Sequence, residues 1–339
     1  MGNPSGIEAT LARKAELPFQ GISTASLRGS APWTLPYRVA RLARGTAQCI
    51  RAIDRFSPHT VFATGGYVCA PLILAARVRR VPSLIHLPDL SPGLAIRALA
   101  RFATRVAVSF PASTKFFAPA KVAVTGYPVR ARLHAADKLV SRQRLGLDES
   151  EETLLVFGGS QGAHSINLAL SAALGKLLEI CQIVHVSGTA DEPWLRAQID
   201  KLPPATARRY SLYAYLHEEM ADALAAADLV VARAGAASMA EFPAVGLPSI
   251  LIPYPYAGKH QELNADFMVS NGAAVKLHDT DLENGLLLTT ITELFQDRLA
   301  LASLSDGARR LAQPQAAQRI VQLLREIARP NRVAKRCSP

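Results

Sequence analysis

Short runs of apolar and β-branched residues alternate along the chain with longer segments in which apolar residues recur every three or four positions. The short runs predict buried strands, and the longer segments predict helices with one apolar face. Predicted strands cover 60–64, 82–86, 106–109, 122–125, 153–157, 182–187, 229–232 and 249–253. Helical periodicity is present near 35–55, 69–79, 92–104, 163–179, 217–227, 236–245, 259–271 and 305–328. Regular alternation of strand and helix is typical of parallel sheets with helices on both faces, so the sequence predicts an α/β fold.

One segment, 126–152, interrupts this alternation and predicts the boundary between two domains. It opens with Gly126-Tyr127-Pro128, turns polar and charged, and ends at residues 148–152, where four of five residues are acidic. A new strand follows at once, as expected where a second doubly wound sheet begins. We therefore predict a first domain over residues 1–140, a second domain over residues 141–328 and a basic tail over residues 329–339.

Composition limits the class of protein. A chain of 339 residues with 49% hydrophobic residues is long enough for two buried cores. Its four cysteines are scattered without a C-x-x-C pair, which disfavours a disulfide framework or a zinc site and favours a reducing compartment. The first 20 residues lack the apolar segment of a secretory signal, and no apolar run reaches the roughly 18 residues that span a bilayer. We expect a cytoplasmic protein without a transmembrane helix.

The charge of the chain is unevenly distributed. The net charge is +11, but residues 1–140 hold 19 Lys and Arg against 5 Asp and Glu, whereas the remaining residues hold 19 against 22. This asymmetry indicates that the first domain faces a polyanion, which is an anionic lipid surface, a nucleic acid or a phosphorylated acceptor. The alternative is a solvated basic face without a partner. Aromatic residues are only 6% of the chain and form no stacking platform, so nucleic acid is the weakest of these partners.

Two basic segments of the first domain are amphipathic as helices. At 92–106, Arg97, Arg101 and Arg105 are spaced four residues apart, which places them along one helical stripe. At 33–44, arginines are mixed with tryptophan, tyrosine and aliphatic residues, a pattern typical of helices at a membrane surface. The alternative for both segments is that the apolar face packs on the sheet. That alternative is favoured for 92–106, and the two interpretations are balanced for 33–44.

The segment Gly158-Gly159-Ser160-Gln161-Gly162-Ala163 lies between a predicted strand and a predicted helix. Glycines allow a ligand to approach the backbone closely, and a helix N-terminus offers free N–H groups with a partial positive charge. A phosphate-binding turn belongs at this carboxyl end of a strand in an open α/β sheet. The spacing matches neither the Walker pattern nor G-x-G-x-x-G, which disfavours a P-loop ATPase or an NAD enzyme. A purely structural turn is the alternative.

A second turn of this kind follows the predicted strand at 229–232. Its small residues Gly235-Ala236-Ala237 precede Ser238, and Glu241 follows one helical turn later. The serine hydroxyl can donate to a phosphate or ribose oxygen, and the carboxylate can accept from both ribose hydroxyls. The alternative is a helix N-terminal acid favoured by the helix dipole.

Further polar residues follow other strand ends. His260, Gln261 and Asn264 share a helix start after the strand at 249–253, and amide and imidazole groups suit sugar hydroxyls. In the first domain, residues 63–67 and the segment His86-Leu87-Pro88-Asp89 follow strands, and Arg130 at the domain boundary can reach a diphosphate. Asp279 and Asp281 form a D-x-D pair that can hold a metal, but a helix cap at Asp281 is the favoured interpretation and no metal is predicted.

Together these motifs resemble those of the bacterial UDP-N-acetylglucosamine transferases of peptidoglycan synthesis, in glycosyltransferase family 28. The matching segments are 63–67, 126–130, 158–163, 227–241, 246–248 and 260–265, and their order and spacing extend over almost the whole chain. The resemblance implies a GT-B fold, with two Rossmann-like doubly wound domains and a cleft between them. It implies inverting transfer without a metal or cofactor, from a UDP-sugar to a lipid-linked acceptor (a polyprenyl diphosphate or glycolipid), by an enzyme peripheral to the cytoplasmic membrane face.

The resemblance also implies roles for single residues. Ser160 and Arg130 are expected at the donor diphosphate, Glu241 at the ribose, and His217 at the uracil through its backbone. His260 and Gln261 are expected to contact the sugar. The predicted donor-binding residues are Arg130, Gly159, Ser160, Gln161, Gly162, His217, Gly235, Ala236, Ala237, Ser238, Glu241, His260 and Gln261.

The first domain departs from the family pattern. Family members begin with a strand and a glycine-rich loop ending in His, which helps bind the acceptor diphosphate, whereas residues 2–22 resemble the segment after this unit. The family's His-Glu-x-Asn segment is here His86-Leu87-Pro88-Asp89, and its Asn before Pro-Val-Arg is Tyr127. Inverting transfer needs a base near the acceptor hydroxyl. We predict Asp89 in this role, with His86 as the second candidate.

Two other functions stay open. The first is a catalytically impaired UDP-sugar-binding protein, or one subunit of a split glycosyltransferase whose partner protein covers a sheet edge of the truncated first domain. The second is a UDP-sugar epimerase, which needs acid and base residues beside the donor sugar, and the sequence offers no convincing pair. The transferase is favoured because a basic first domain suits a lipid-linked acceptor.

Overall fold

A computed structural model of the protein describes residues 1–24, 32–159, 161–256 and 260–328, which fold as two compact units. Of the described residues, those within Met1–Tyr127 and 315–328 form the first unit, and those within Pro128–Pro314 form the second. The predicted basic tail at 329–339 lies outside the described residues.

Within the described part of the first unit, helices alternate with four parallel strands. In chain order the elements are α1 (Ile7–Lys14), α2 (Leu35–Phe56), β1 (Val61–Ala63), α3 (Ala70–Val78), β2 (Ser83–Leu87), α4 (Leu94–Leu99), β3 (Arg105–Val108) and β4 (Val122–Val124). The strands lie in the order β1-β2-β3-β4. Every residue of β2 is buried, as expected of a parallel strand that is covered on both faces.

Within the described part of the second unit, six parallel strands form a larger sheet in the order β10-β9-β8-β5-β6-β7. Its elements are α5 (Ala131–His134), α6 (Lys138–Leu145), β5 (Thr153–Phe157), α7 (His164–Ile180), β6 (Gln182–Val186), α8 (Glu192–Ile199), α9 (Pro204–Ala207), β7 (Tyr210–Tyr213), α10 (Met220–Ala226), β8 (Leu229–Ala232), α11 (Ser238–Val245), β9 (Ser249–Leu251), α12 (His260–Ser270), β10 (Ala274–Lys276), α13 (Leu286–Gln296) and α14 (Arg298–Leu311).

The strand order of the second sheet reverses between β5 and β8. The chain runs outward from β5 through β6 to β7, returns to the centre with β8, and continues outward on the other side through β9 to β10. Because β5 and β8 are neighbours, the loops that follow them diverge in opposite directions and open a crevice at the carboxyl ends of the strands. Ligands of open α/β sheets bind in such crevices, so the topology marks this edge of the second unit as the candidate site.

Ion pairs hold helices α5 and α6 to the second unit. Asp222 of α10 is buried and pairs with Arg132 and Arg144, and Asp228 pairs with Arg142 at 2.6 Å between Oδ2 and Nη2. A buried carboxylate is stable only when such partners replace water. The first unit therefore ends before α5, at Tyr127 rather than at the predicted residue 140.

The predicted helix at 305–328 is two helices in different units. Helix α14 ends at Leu311, and α15 (Ala316–Ile327) begins after Pro314, which lacks the N–H that a continuous helix needs. Ile320 and Leu323 of α15 pack in the core of the first unit. The last helix therefore belongs to the first unit and not to the predicted domain 141–328.

The predicted helix at 92–104 is shorter than its periodicity indicated. Helix α4 ends at Leu99, and Arg105 lies in β3, so Arg97, Arg101 and Arg105 do not form one helical stripe. Phe102 is exposed, whereas Ile96 and Leu99 pack in the core.

Strands β7 and β10 were not predicted. Among the helices of the described ranges, none combines the length and the hydropathy that a bilayer crossing requires.

A fully buried histidine, His185, lies in strand β6 of the second unit. Its Nδ1 is 2.5 Å from the hydroxyl of Tyr210, and its Nε2 is 2.9 Å from Oδ1 of Asn167. Burial disfavours the imidazolium and lowers the pKa of His185 to about 3, although the charge of Asp191 acts in the opposite direction. The folded protein therefore keeps this side chain neutral at a pH where an unfolded chain would protonate it.

We expect this histidine to make the protein less stable as the pH falls from 6.5 towards 3. The unfolded state binds a proton in that window and the folded state does not, so stability that is fully present above pH 6.5 is lost. By pH 5 the loss attributable to His185 is about 2 kcal/mol. Urea denaturation of the wild type and of His185→Gln at pH 7 and pH 5 measures it. A loss as large in the variant as in the wild type would assign the effect to other groups.

Candidate functional site

The glycine-rich loop between β5 and α7 lies at the reversal point of the second sheet. Gly162 has φ of +80°, and a Cβ there would be 2.1 Å from the carbonyl oxygen of Ser187, so only glycine fits against the β6 loop. Gly159 has φ of +99°, and a Cβ there would meet no atom within 4 Å. Gln161 is exposed, and Ser160 lies outside the described residues. The loop is therefore packed on one side and open on the other, as a ligand-binding turn needs.

A hydrogen-bond network fixes the start of α7 behind this loop. Asp191 accepts from His164 at 2.9 Å, from Trp194 at 2.9 Å and from Asn167 at 2.7 Å. Burial opposes ionisation of Asp191, but these three hydrogen bonds outweigh it and hold the pKa of the carboxyl below its ordinary value. The carboxylate therefore anchors the first turn of α7, whose free N–H groups attract an anion.

The turn after β8 is shaped by side chains that bond to its carbonyls. Ser238 donates from Oγ to the carbonyl of Arg233 at 3.1 Å and is buried, and Asn264 donates from Nδ2 to the carbonyl of Ala234 at 3.0 Å. The Ser238 hydroxyl is thus engaged within the turn, and its donation to a phosphate or ribose oxygen stays a prediction. The segment Gly235-Ala236-Ala237 is half-exposed and leaves its backbone accessible at the crevice.

Three of the predicted donor-binding residues lie close together in the second unit. Arg130 donates from Nη1 to the carbonyl of His217 at 3.0 Å. Burial raises the pKa of Glu241 in the first turn of α11, and the positive charge of Arg130 partly offsets this. Among the described residues, the carboxylate of Glu241 has no hydrogen-bond partner. A half-buried carboxylate without a partner is able to accept two hydroxyl groups from a ligand.

The backbone of His217 is already engaged within the second unit. Its carbonyl accepts from Arg130, and its N–H donates to Oε2 of Glu219 at 3.2 Å. The imidazole lies edge-on to the ring of Tyr215, with 4.7 Å between the ring centres. The carbonyl keeps a second lone pair for a ligand donor, whereas the N–H is used.

Helix α12 brings its first residues to the same edge of the sheet. His260 and Gln261 are half-buried, and Oε1 of Gln261 accepts from the backbone N–H of Tyr254 at 2.8 Å. The amide nitrogen of Gln261 has no partner within the described ranges, so it can donate to a sugar hydroxyl.

Both carboxylates of the D-x-D pair have structural partners. Asp281 accepts from the N–H of His278 at 2.6 Å in a capping box, as favoured from the sequence. Asp279 accepts from Arg233 and from Ser165. Among the described residues, no group of three or more His, Cys, Asp or Glu is arranged to hold a metal ion.

The two candidate bases lie in the first unit in different surroundings. His86 is buried, and its Nε2 is 3.1 Å from the carbonyl of Gly126 and 3.3 Å from the hydroxyl of Ser109. Burial lowers the pKa of His86, and the bond to Gly126 acts in the opposite direction. Asp89 is half-buried and lies two residues after the end of β2. Of the two candidates, Asp89 is therefore the more accessible to solvent.

Comparisons with known proteins give the family. The model of the glycosyltransferase family 28 N-terminal domain matches residues 1–108, and that of the C-terminal domain matches residues 153–320. The chain is 42% identical over 362 aligned residues, covering 96% of this chain and 82% of the relative, to the UDP-N-acetylglucosamine--N-acetylmuramyl-(pentapeptide) pyrophosphoryl-undecaprenol N-acetylglucosamine transferase of Roseiflexus sp. (strain RS-1). The chain belongs to glycosyltransferase family 28. It is therefore a glycosyltransferase by family, as its motifs indicated.

Solved structures agree with this family and its GT-B fold. The crystal structure of MurG from Acinetobacter baumannii aligns with a TM-score of 0.72 and 28% identity, covering 96% of this chain and 89% of that one. The UDP-GlcNAc 2-epimerase from Neisseria meningitidis aligns with a TM-score of 0.65 and 13% identity, covering 94% and 88%. At so low an identity the epimerase shows the fold alone.

The family 28 motifs predict the turns of the site but not the side chains that hold these turns in place. Asp191 and Asn167 were not singled out, because their role depends on contacts between loops that are distant in sequence. Arg233 was visible only as a charge directly after an apolar strand. An isolated charge at the end of a buried strand is the sequence signal that could have identified it.

Proposed function

We propose that this chain transfers N-acetylglucosamine from UDP-N-acetylglucosamine to a muramyl pentapeptide linked to undecaprenyl diphosphate. The observation that best supports this proposal is that Arg130, Glu241 and the glycine-rich loop lie around the reversal point of the second sheet. We infer the two substrates from relatives that are named for this reaction. A related hexose as the donor sugar is tested below.

Each part of the donor has a chemically suited partner in the second unit. The N-terminus of α7 and Arg130 suit the diphosphate, because both present positive charge and N–H donors. Glu241 suits the ribose hydroxyls, and the loop that carries His217 suits the uracil. His260 and Gln261 suit the hydroxyls of the sugar. Ser160 is assigned to the diphosphate from the family motif.

The reaction we propose inverts the configuration at the sugar carbon and uses no metal or cofactor. Asp89 removes the proton from the acceptor hydroxyl, and the oxygen attacks C1 of the sugar from the side opposite to UDP. The bond between C1 and the phosphate oxygen breaks, and its electron pair leaves with UDP. The dipole of α7 and Arg130 stabilise the charge that develops on the diphosphate. Unchanged turnover after addition of EDTA is the expected result.

A basic surface of the first unit supports peripheral binding to an anionic membrane at the cytoplasmic face. Two adjoining hollows of about 410 and 440 Å³ are lined by Arg77, Arg80, Arg97, Arg101 and Lys121, and no acidic residue is among the described residues that line them. An exposed aromatic residue, Phe102, lies beside this charge and lines one of the hollows. Basic residues interleaved with exposed aromatics are typical of surfaces that bind lipid headgroups.

Charge reversal on this surface is expected to release the protein from anionic vesicles. Each basic residue near such a surface contributes about 1 kcal/mol, so the double variant Arg97→Glu/Arg101→Glu should bind at least roughly thirtyfold more weakly. Sedimentation with phosphatidylglycerol vesicles measures the change. The control Arg208→Glu/Arg310→Glu reverses two exposed arginines of the second unit. Equal losses in both variants would show that net charge, and not this surface, drives the binding.

Calorimetric titration with UDP-N-acetylglucosamine, UDP-glucose and UDP tests the donor assignment. We expect the N-acetylglucosamine donor to bind most tightly and Ser160→Ala to weaken all three. A preference for UDP-glucose would identify UDP-glucose as the donor. No binding by the folded chain would refute the proposal. Binding without transfer to any lipid diphosphate would favour a UDP-sugar-binding protein or one subunit of a split enzyme.

A further inference from the structure

Arg233 places a buried positive charge directly after β8, beside the candidate donor site. Its side chain is only 9% exposed. Nη1 is 2.5 Å from Oδ1 of Asp279, and it donates to the carbonyls of Ile252 at 3.2 Å and Pro253 at 3.3 Å. Nη2 donates to Oγ of Ser165 at 2.8 Å. Burying a guanidinium is unfavourable unless its donors are satisfied, and here four acceptors surround one fork.

These contacts connect segments that approach the crevice from different strands. Ser165 lies in the first turn of α7, behind the glycine-rich loop, and its hydroxyl also donates to Asp279 at 2.9 Å. The carbonyls that Arg233 binds belong to the loop that leads from β9 to α12. Asp279 belongs to the turn after β10. One side chain therefore fixes the distance between the predicted diphosphate loop and the predicted sugar-reading helix.

A short relay leads from Arg233 to a residue expected to contact the sugar. The guanidinium carbon is 5.4 Å from the ring centre of Tyr254, within the range of a cation–π contact. The backbone N–H of Tyr254 donates to Oε1 of Gln261 at 2.8 Å, which orients the Gln261 amide. Arg233 has three contacts with residues 252–254 on this sugar side and one with α7 on the diphosphate side.

We propose that Arg233 is a positioning residue for the donor, which sets the Gln261 amide relative to the diphosphate loop and thereby strengthens selection of the sugar. The inference rests on the proposed function of this site. Hydrogen bonds to sugar hydroxyls discriminate only when the supporting residues hold them to within a fraction of an ångström. A lysine at position 233 keeps the charge but has no planar fork, so it cannot bridge the same partners.

The chain offers a matched control at the other end of the same strand. Arg142 is 5% exposed, and it donates to the carbonyls of Ala226 and Glu149 and to the carboxylate of Asp228, which directly precedes β8. The two arginines are thus similar in burial and bonding. They differ in position, because Arg233 lies at the carboxyl edge of the sheet and Arg142 at the amino edge.

The test compares Arg233→Lys and Arg142→Lys in the full chain, with thermal unfolding and calorimetric titration of UDP and UDP-N-acetylglucosamine. We expect both variants to unfold at similar, lower temperatures. Arg233→Lys should weaken UDP-N-acetylglucosamine about tenfold, equivalent to about 1.4 kcal/mol, and UDP less than about threefold. Arg142→Lys should leave both affinities within about twofold of the wild type. Asp279→Asn, which keeps the guanidinium but removes its carboxylate partner, should shift sugar affinity in the same direction.

Two results would overturn the inference while the proposed function stands. One is an equal loss of UDP and UDP-N-acetylglucosamine affinity in Arg233→Lys, and the other is the same loss in both lysine variants. If Arg233→Lys does not fold, Asp279→Asn decides, because unchanged sugar affinity there refutes the relay. Failure of the wild type to bind either ligand refutes the proposed function itself, and the inference with it.

Discussion

Glu241→Ala is expected to weaken binding of UDP-N-acetylglucosamine by about a hundredfold. Two hydrogen bonds from ribose hydroxyls to a carboxylate contribute about 3 kcal/mol together, because bonds to charged groups are roughly twice as strong as neutral ones. The carboxylate is half-buried and has no hydrogen-bond partner among the described residues, so removing it frees no other group. Calorimetric titration measures the loss, and it should apply equally to UDP, which carries the same ribose.

The control is Glu179→Ala, which removes an exposed carboxylate at the far end of α7. It should leave donor affinity unchanged. Because burial raises the pKa of Glu241, donor affinity should also begin to fall at a higher pH than it would for an ordinary glutamate, and the dependence should disappear in Glu241→Gln. Full donor affinity in Glu241→Ala would show that Glu241 does not bind the ribose, and the nucleotide would have to bind in another position.

Asp89→Asn is expected to lower kcat by a hundredfold to about ten-thousandfold, the range of general base catalysis. The substitution keeps the shape of the side chain and removes its ability to take a proton. Asp89 follows a strand of the first unit, whereas the donor residues belong to the second, so the affinity for UDP-N-acetylglucosamine should be unchanged. Steady-state kinetics with a lipid diphosphate acceptor, together with donor titration, separates the two effects.

His86→Gln provides the matched comparison in the first unit. Glutamine can keep the hydrogen bond that His86 makes with the carbonyl of Gly126. We expect a modest loss of stability with most of kcat retained, because the imidazole is buried. Full activity in Asp89→Asn with a large loss of kcat in His86→Gln would show that His86, and not Asp89, is the base.

The elements that position the site could largely be predicted from the sequence. Strands β5 and β8 have the predicted bounds because both are continuous apolar runs followed by small-residue turns. The predicted assignment to family 28 and the α/β fold are confirmed. Predicted positions next to strand ends of the second sheet, such as Gly159 and Gly235, lie at one edge because parallel strands deliver their carboxyl ends to the same side.

Features that depend on long-range contacts could not be predicted. Strand β7 follows two arginines, contains a serine and lacks a clear apolar run, and β10 has only three residues. The predicted boundary at residue 140 missed the pairing of α6 with Asp222 and Asp228, which are about 80 residues away in the chain. The bond from the Ser238 hydroxyl to the carbonyl of Arg233 could not be predicted either, because a sequence does not show which carbonyl lies within reach.

We propose above all that this chain transfers N-acetylglucosamine to a lipid diphosphate. The most direct measurement uses UDP-N-acetylglucosamine labelled in the sugar, with a lipid diphosphate muramyl pentapeptide in anionic vesicles, and follows the label into the lipid and the configuration of the new bond. We predict one labelled sugar per acceptor, a β-linkage formed with inversion, and at least a hundredfold loss in Asp89→Asn as general base catalysis implies. Tight donor binding with no label in the lipid, by a folded protein at saturating acceptor, would contradict the account.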